Sequence, residues 1–195
     1  MSFLRIFRVL KPIVLIELIG KYKSVLRFIL TFLGTYIVLT LLYSWYLQHA
    51  DGQLYYPDFI THKVAQQCNW FLNILGYKAQ ILPHPDEAAM KLMLNDQFLA
   101  RVVEGCNSVS VIILFWAFVL SFYNGFKKTL LFIILGSVGI YVINIFRIAL
   151  LVVAIYEYPQ YTEFLHSIIF PAIIYGFVFL LWVYWISIFK AKNHG

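Results

Sequence analysis

Four stretches of this chain stay apolar long enough to cross a bilayer core: residues 26–47, 107–123, 129–156 and 167–189. A spanning helix needs about 20 mainly apolar residues, so the pattern predicts four transmembrane helices. The second stretch is short and carries Ser108, Ser110 and Ser121. The third is interrupted by Asn144 and Arg147. Residues 3–20 are also rich in Leu, Ile and Val, but Arg5, Arg8, Lys11, Pro12 and Glu17 keep their longest uncharged run below spanning length. That mixture predicts an amphipathic helix lying on the membrane surface, within residues 1–25. No cleavage site of the A-x-A type follows the first long apolar run, which reads as a retained signal-anchor.

Residues 48–105 form the long connection between the first two spans. Within 64–75, Val64, Cys68, Phe71, Leu72 and Leu75 recur at helical spacing, and Gly76 suits a helix C-terminus. After Pro83 and Pro85, Met90, Leu92 and Leu94 alternate, as do Phe98, Ala100 and Val102. Asn95-Asp96 between them serves as a two-residue turn, so a β-hairpin is expected, with a short helix as the alternative. The expected fold is a membrane all-α bundle of four transmembrane helices. It carries an N-terminal interfacial helix and a small α/β loop unit, in a single polytopic domain over 1–195.

Composition supports the membrane assignment. The chain is 62% hydrophobic and 12% charged, against about 45–50% and 25% in soluble domains. A soluble globular domain and a disordered chain are both excluded. In a soluble protein the net charge of +6 would raise nucleic acid as a partner; here the charges are instead sorted by topology. Arg5, Arg8, Lys11, Lys21, Lys23, Arg27, Lys127, Lys128, Lys190 and Lys192 all fall on one side of the expected spans. Every acidic residue except Glu17 falls on the other. By the positive-inside rule both termini are cytoplasmic and residues 48–105 lie outside.

Three reactive side chains stand out: Cys106, Arg147 and His166. At ~1.5 Å per helical residue, they lie ~27–36 Å above the cytoplasmic ends of three different spans. The hydrocarbon core is about 30 Å thick, so all three are expected at the same outer interface. A thiol becomes a nucleophile when a base takes its proton or a cation lowers its pKa. A guanidinium can hold a developing oxyanion. The set suits attack on a peptide carbonyl at the membrane surface, through a thioester resolved by water or an amine.

Each residue also has an ordinary structural role open to it. Cys68 and Cys106 are both expected outside, so a disulfide competes with a reactive Cys106. Arg147 can snorkel to headgroups, although ionisable residues inside spans are functional candidates by default. His166 can be a polar interface anchor. Asn144, three residues before Arg147, shares its helix face and can orient the guanidinium or bond another helix. Glu104 and Arg101 can line the pocket mouth or be plain solvated charges. Ser108 is a supporting residue or polar packing. The remaining histidines show no metal-ligand spacing and no CxxC motif is present, so neither a metal nor another cofactor is expected.

Glu104-Gly-Cys-Asn-Ser108, Asn144-Ile-Phe-Arg147-Ile and His166 before the last span resemble the exosortase/archaeosortase family. These are polytopic membrane cysteine peptidase-transpeptidases of prokaryotes. The likeness covers roughly residues 60–180. The short form is most similar to the exosortase F type of the Bacteroidetes. The family's Cys, Arg and His fall on Cys106, Arg147 and His166. Where the family commonly has Cys-Ser-Gly, this chain has Cys106-Asn107-Ser108. The resemblance implies an enzyme that processes C-terminal sorting tails of exported proteins outside the membrane. Its partners would be membrane-anchored tailed substrates and the bilayer, with room for a small membrane partner protein and none for nucleic acid. The reading from another class is a non-enzymatic membrane assembly or transporter accessory subunit, in which the three residues need not meet.

Overall fold

The structure is a computed structural model that describes residues 22–50 and 55–193. The expected interfacial helix lies outside the described residues. Five long helices and three strands follow in order: α1 (Lys23–Gln48), α2 (Phe59–Ile74), β1 (Ala79–Pro83), β2 (Met90–Leu94), β3 (Gln97–Val102), α3 (Val109–Ser121), α4 (Phe126–Glu157) and α5 (Phe170–Asn193). A 3-10 turn, Glu104–Cys106, joins β3 to α3. A run of helical turns from Pro159 leads into α5, including a π turn over Leu165–Ile169.

Three helical segments are long and apolar enough to cross a membrane: Lys23–Gln48, Phe126–Glu157 and Pro159–Ile188. The second apolar stretch gives only the 13-residue Val109–Ser121. That is ~20 Å of helix, less than a hydrocarbon core. Its start is set at Asn107-Ser108, where the backbone turns left-handed (Ser108 φ 66°), and it ends ahead of the turn at Gly125 (φ 83°).

The helices expose Leu30, Leu41, Leu135, Phe179 and Leu180 among many other large apolar residues. Such surfaces are stable only against lipid or another apolar partner. Inside the bundle, Phe115 and Val119 of α3 pack against Ile133 and Ile140 of α4 and Val178 and Trp185 of α5. Gly136 makes this possible: a Cβ there would lie 2.3 Å from the Phe115 ring. Phe28 of α1 meets the Phe122 ring just past α3, with centroids 4.9 Å apart.

At ~1.5 Å per residue the 32 residues of α4 span about 48 Å, well beyond a bilayer core. The far half carries a cap. Val64, Cys68 and Leu72 of α2, with Met90, Leu92 and Leu94 of β2, pack onto Ile148, Ala149 and Val152 of α4. The cap sheet is antiparallel with order β1-β2-β3. The expected hairpin is present: Leu94 pairs with Gln97 around Asn95 (φ 48°) and Asp96 (φ 65°). Both turn residues take the left-handed conformation of a type I′ turn, which Asn and Asp tolerate. β1 lay beyond the sequence pattern, as did the first turn of α2. That turn begins at Phe59 because Asp58 caps it, accepting from the Ile60 and Thr61 amides at 3.0 Å each.

Candidate functional site

β3, the 3-10 turn, α4 and the π turn enclose a cavity of about 570 Å³. Cys106, Arg147 and His166 all line it, each from a different element. The structure therefore brings together the three residues that the sequence placed at a common depth. Arg101 also lines the cavity; it is exposed and ion-paired with Glu87 of the loop before β2. The remaining walls are mainly apolar, with Ile148, Leu151, Ile155 and Phe170 facing β3 across the cavity.

Cys106 is held by its backbone. Its amide donates to the Val103 carbonyl at 2.8 Å, closing the 3-10 turn. Its carbonyl accepts from Asn144 Nδ2 at 2.7 Å. Asn144 is thus tied to the cysteine turn, where the sequence left open that it orients Arg147 or bonds another helix. Its Oδ1 and the Nε of Arg147 are both buried with no hydrogen-bond partner among the described residues. A buried guanidinium N–H left unpaired by the protein is a strong donor for an anionic group.

The next residue was missed by the sequence reasoning. Asn107 is fully buried. Its Nδ2 donates to Tyr43 of α1 at 2.7 Å and to Thr61 Oγ1 of α2 at 3.0 Å. Its Oδ1 accepts from the Val109 amide at 3.0 Å, capping α3. One side chain thereby fixes α1, α2 and α3 around the cysteine turn. No sequence signal marks it, because its partners lie far along the chain.

The other supporting candidates separate. Ser108 is buried, with its hydroxyl donating to the Asn107 carbonyl at 2.6 Å; it serves the turn and does not line the cavity. Glu104 is exposed at the start of the 3-10 turn and lies outside the cavity lining. His166 is exposed. It sits in the π turn that precedes Pro171. Proline cannot donate to the carbonyl four residues back and its ring crowds that carbonyl; widening the turn relieves both, and π turns often mark functional positions.

Cys68 and Cys106 are free thiols. Cys68 is buried on the face of α2 that packs against α4, with Sγ 3.8 Å from the Ile145 carbonyl. Burial pushes its thiol up to about 12, against the opposing pull of Arg147. Cys106 is half-buried and opens onto the cavity. Among the described residues no three His, Cys, Asp or Glu side chains converge as a metal site.

No curated protein and no solved structure matched the chain significantly. The family model described as transmembrane exosortase (Exosortase_EpsH) matches residues 13–188.

Proposed function

The chain belongs to the transmembrane exosortase family, and from that premise we propose that it is a membrane cysteine transpeptidase acting on C-terminal sorting tails. The observation that carries this reading is the single cavity lined by Cys106, Arg147 and His166.

In the proposed reaction His166 takes the Cys106 proton. The thiolate attacks the scissile carbonyl carbon, and the new oxyanion faces the Arg147 guanidinium. The C–N bond breaks, His166 returns the proton to the leaving amine, and the acyl group stays on Cys106 as a thioester. Water or an acceptor amine, deprotonated by His166, then attacks the thioester and frees the thiolate.

The four apolar segments cross a bacterial cytoplasmic membrane, with both termini inside and the cavity outside. The basic residues at the start of α1 and α4 and at the end of α5 support that orientation. α3 is short for a span, and it crosses together with its flanking residues, between α1 and α4. The small number of segments supports the short exosortase F type.

The test is Cys106→Ala and Cys106→Ser in cells that make a protein ending in a motif, a transmembrane helix and a basic cluster. Processing of the tail is expected to stop in both. Undiminished processing would instead favour a non-enzymatic membrane subunit.

A further inference from the structure

β3 is an edge strand, paired only with β2 among the described strands. Five consecutive residues, Leu99 to Val103, line the cavity. Side chains of a strand alternate between its two faces, so a cavity lying against one face would be lined by every second residue. Leu99 is a bulge residue and Val103 lies just past the strand, but Ala100, Arg101 and Val102 pair regularly with β2 and all line the cavity, so the strand presents its edge there, with main-chain N–H and C=O groups that β2 does not use. The edge leads without interruption through Gly105 into Cys106. It faces an apolar wall of Ile148, Leu151, Ile155 and Phe170.

We propose that the peptide substrate binds as an added strand along β3, extended over Leu99–Val103, with its scissile carbonyl delivered to Cys106. Edge strands are templates for pairing, and peptides are widely held this way: main-chain bonds give affinity and pockets for alternate side chains give selectivity. At about 3.3 Å per residue the five lining positions pair with four or five substrate residues. Alternate side chains of that segment face the α4 wall, which favours small or apolar residues at every second position. Arg101 stands at the strand with its charge already answered by Glu87, so the edge selects by backbone shape and apolar contact rather than by charge. This inference rests on the reading of Cys106 as the nucleophile.

The experiment uses the full chain in nanodiscs and three probes of Cys106 alkylation, read by mass spectrometry. One is iodoacetamide, the second acetyl-tetra-alanyl chloromethyl ketone, and the third a set of the same ketone N-methylated at one amide at a time. The peptide ketone is expected to alkylate Cys106 and to slow amide exchange across Leu99–Val103. N-methylation is expected to slow alkylation about tenfold at alternate positions and little at those between, since one main-chain hydrogen bond carries roughly that factor. Equal rates for all the peptide ketones, with unchanged exchange in β3, overturn strand addition and leave a reactive Cys106 standing. Alkylation of Cys106 by none of the probes overturns the nucleophile reading, and strand addition with it.

Discussion

Arg147 acts on the Cys68 thiol and shares a cavity with Cys106, and burial sets the two cysteines apart. Cys68 is sealed between α2 and α4 and held as a neutral thiol, pushed up to about 12 from an ordinary value of 9.0. Cys106 is half-exposed on the cavity. At pH 7.5 iodoacetamide is expected to modify Cys106 and spare Cys68; rapid modification of Cys68 in the folded protein would contradict the burial argument. The sign of the linkage follows from the raised value. Cys68 favours the folded state fully below about pH 9, and that contribution is lost as pH rises toward 12. The difference between the denaturation midpoints of the wild type and Cys68→Ala should therefore be constant below about pH 9, and above it the wild type alone should lose stability.

Ser108 shows why a glycine is common at that place in the family. Its φ of 66° costs an L-residue about 1 kcal/mol, and glycine carries no such penalty. Ser108→Gly relieves that strain but removes the hydroxyl's bond to the Asn107 carbonyl; the two effects oppose, so stability in a thermal melt is expected to change by less than about 1 kcal/mol. Asn144→Leu removes the donor to the Cys106 carbonyl. Leaving that acceptor unpaired costs about 1–3 kcal/mol, so processing should fall at least about tenfold while the protein stays folded. Cys106, Arg147 and His166 were legible in the sequence because helices impose depth. Asn107 was not, because its worth lies in contacts to residues 46 and 64 positions away.

The helices and the hairpin were largely written in local pattern. Asn95-Asp96 foretold its turn, since those two residue types tolerate the left-handed backbone that the turn adopts. β1 was illegible for the opposite reason. Ala79–Pro83 is short and ends in proline, and it becomes a strand only by pairing with β2. The length of α3 was overestimated because hydropathy does not register the left-handed Ser108 that sets its start. Packing between elements was equally hidden. Gly136 reads as an unremarkable small residue in an apolar run, yet it seats the buried Phe115 ring. That ring also lies against Phe132, with centroids 5.7 Å apart, and has little room to retreat. Gly136→Ala is expected to destabilise the bundle by about 1–3 kcal/mol through overpacking. An unchanged melting temperature in detergent would show that α3 and α4 separate freely.

On the scale of the whole molecule, α4 unites the membrane bundle with the cap, and the cavity lies where the two meet. Its lower half carries Ile133 and Ile140 in the bundle core; its upper half carries Ile148 and Val152 beneath the sheet. The proposed orientation makes a direct prediction. In a background free of native cysteines, a membrane-impermeant maleimide should label Asp96→Cys from the outer face of spheroplasts. Lys127→Cys should be labelled only after lysis. The reverse pattern would put the cavity on the cytoplasmic side and remove it from exported substrates.

The central claim is that Cys106 carries the acyl group during processing. The direct measurement is mass spectrometry of the Cys106 peptide from the protein isolated with a tailed substrate. The account predicts an added acyl mass on Cys106 that hydroxylamine removes and that is absent from His166→Ala. An unmodified Cys106, with tail processing continuing in Cys106→Ala, would contradict it.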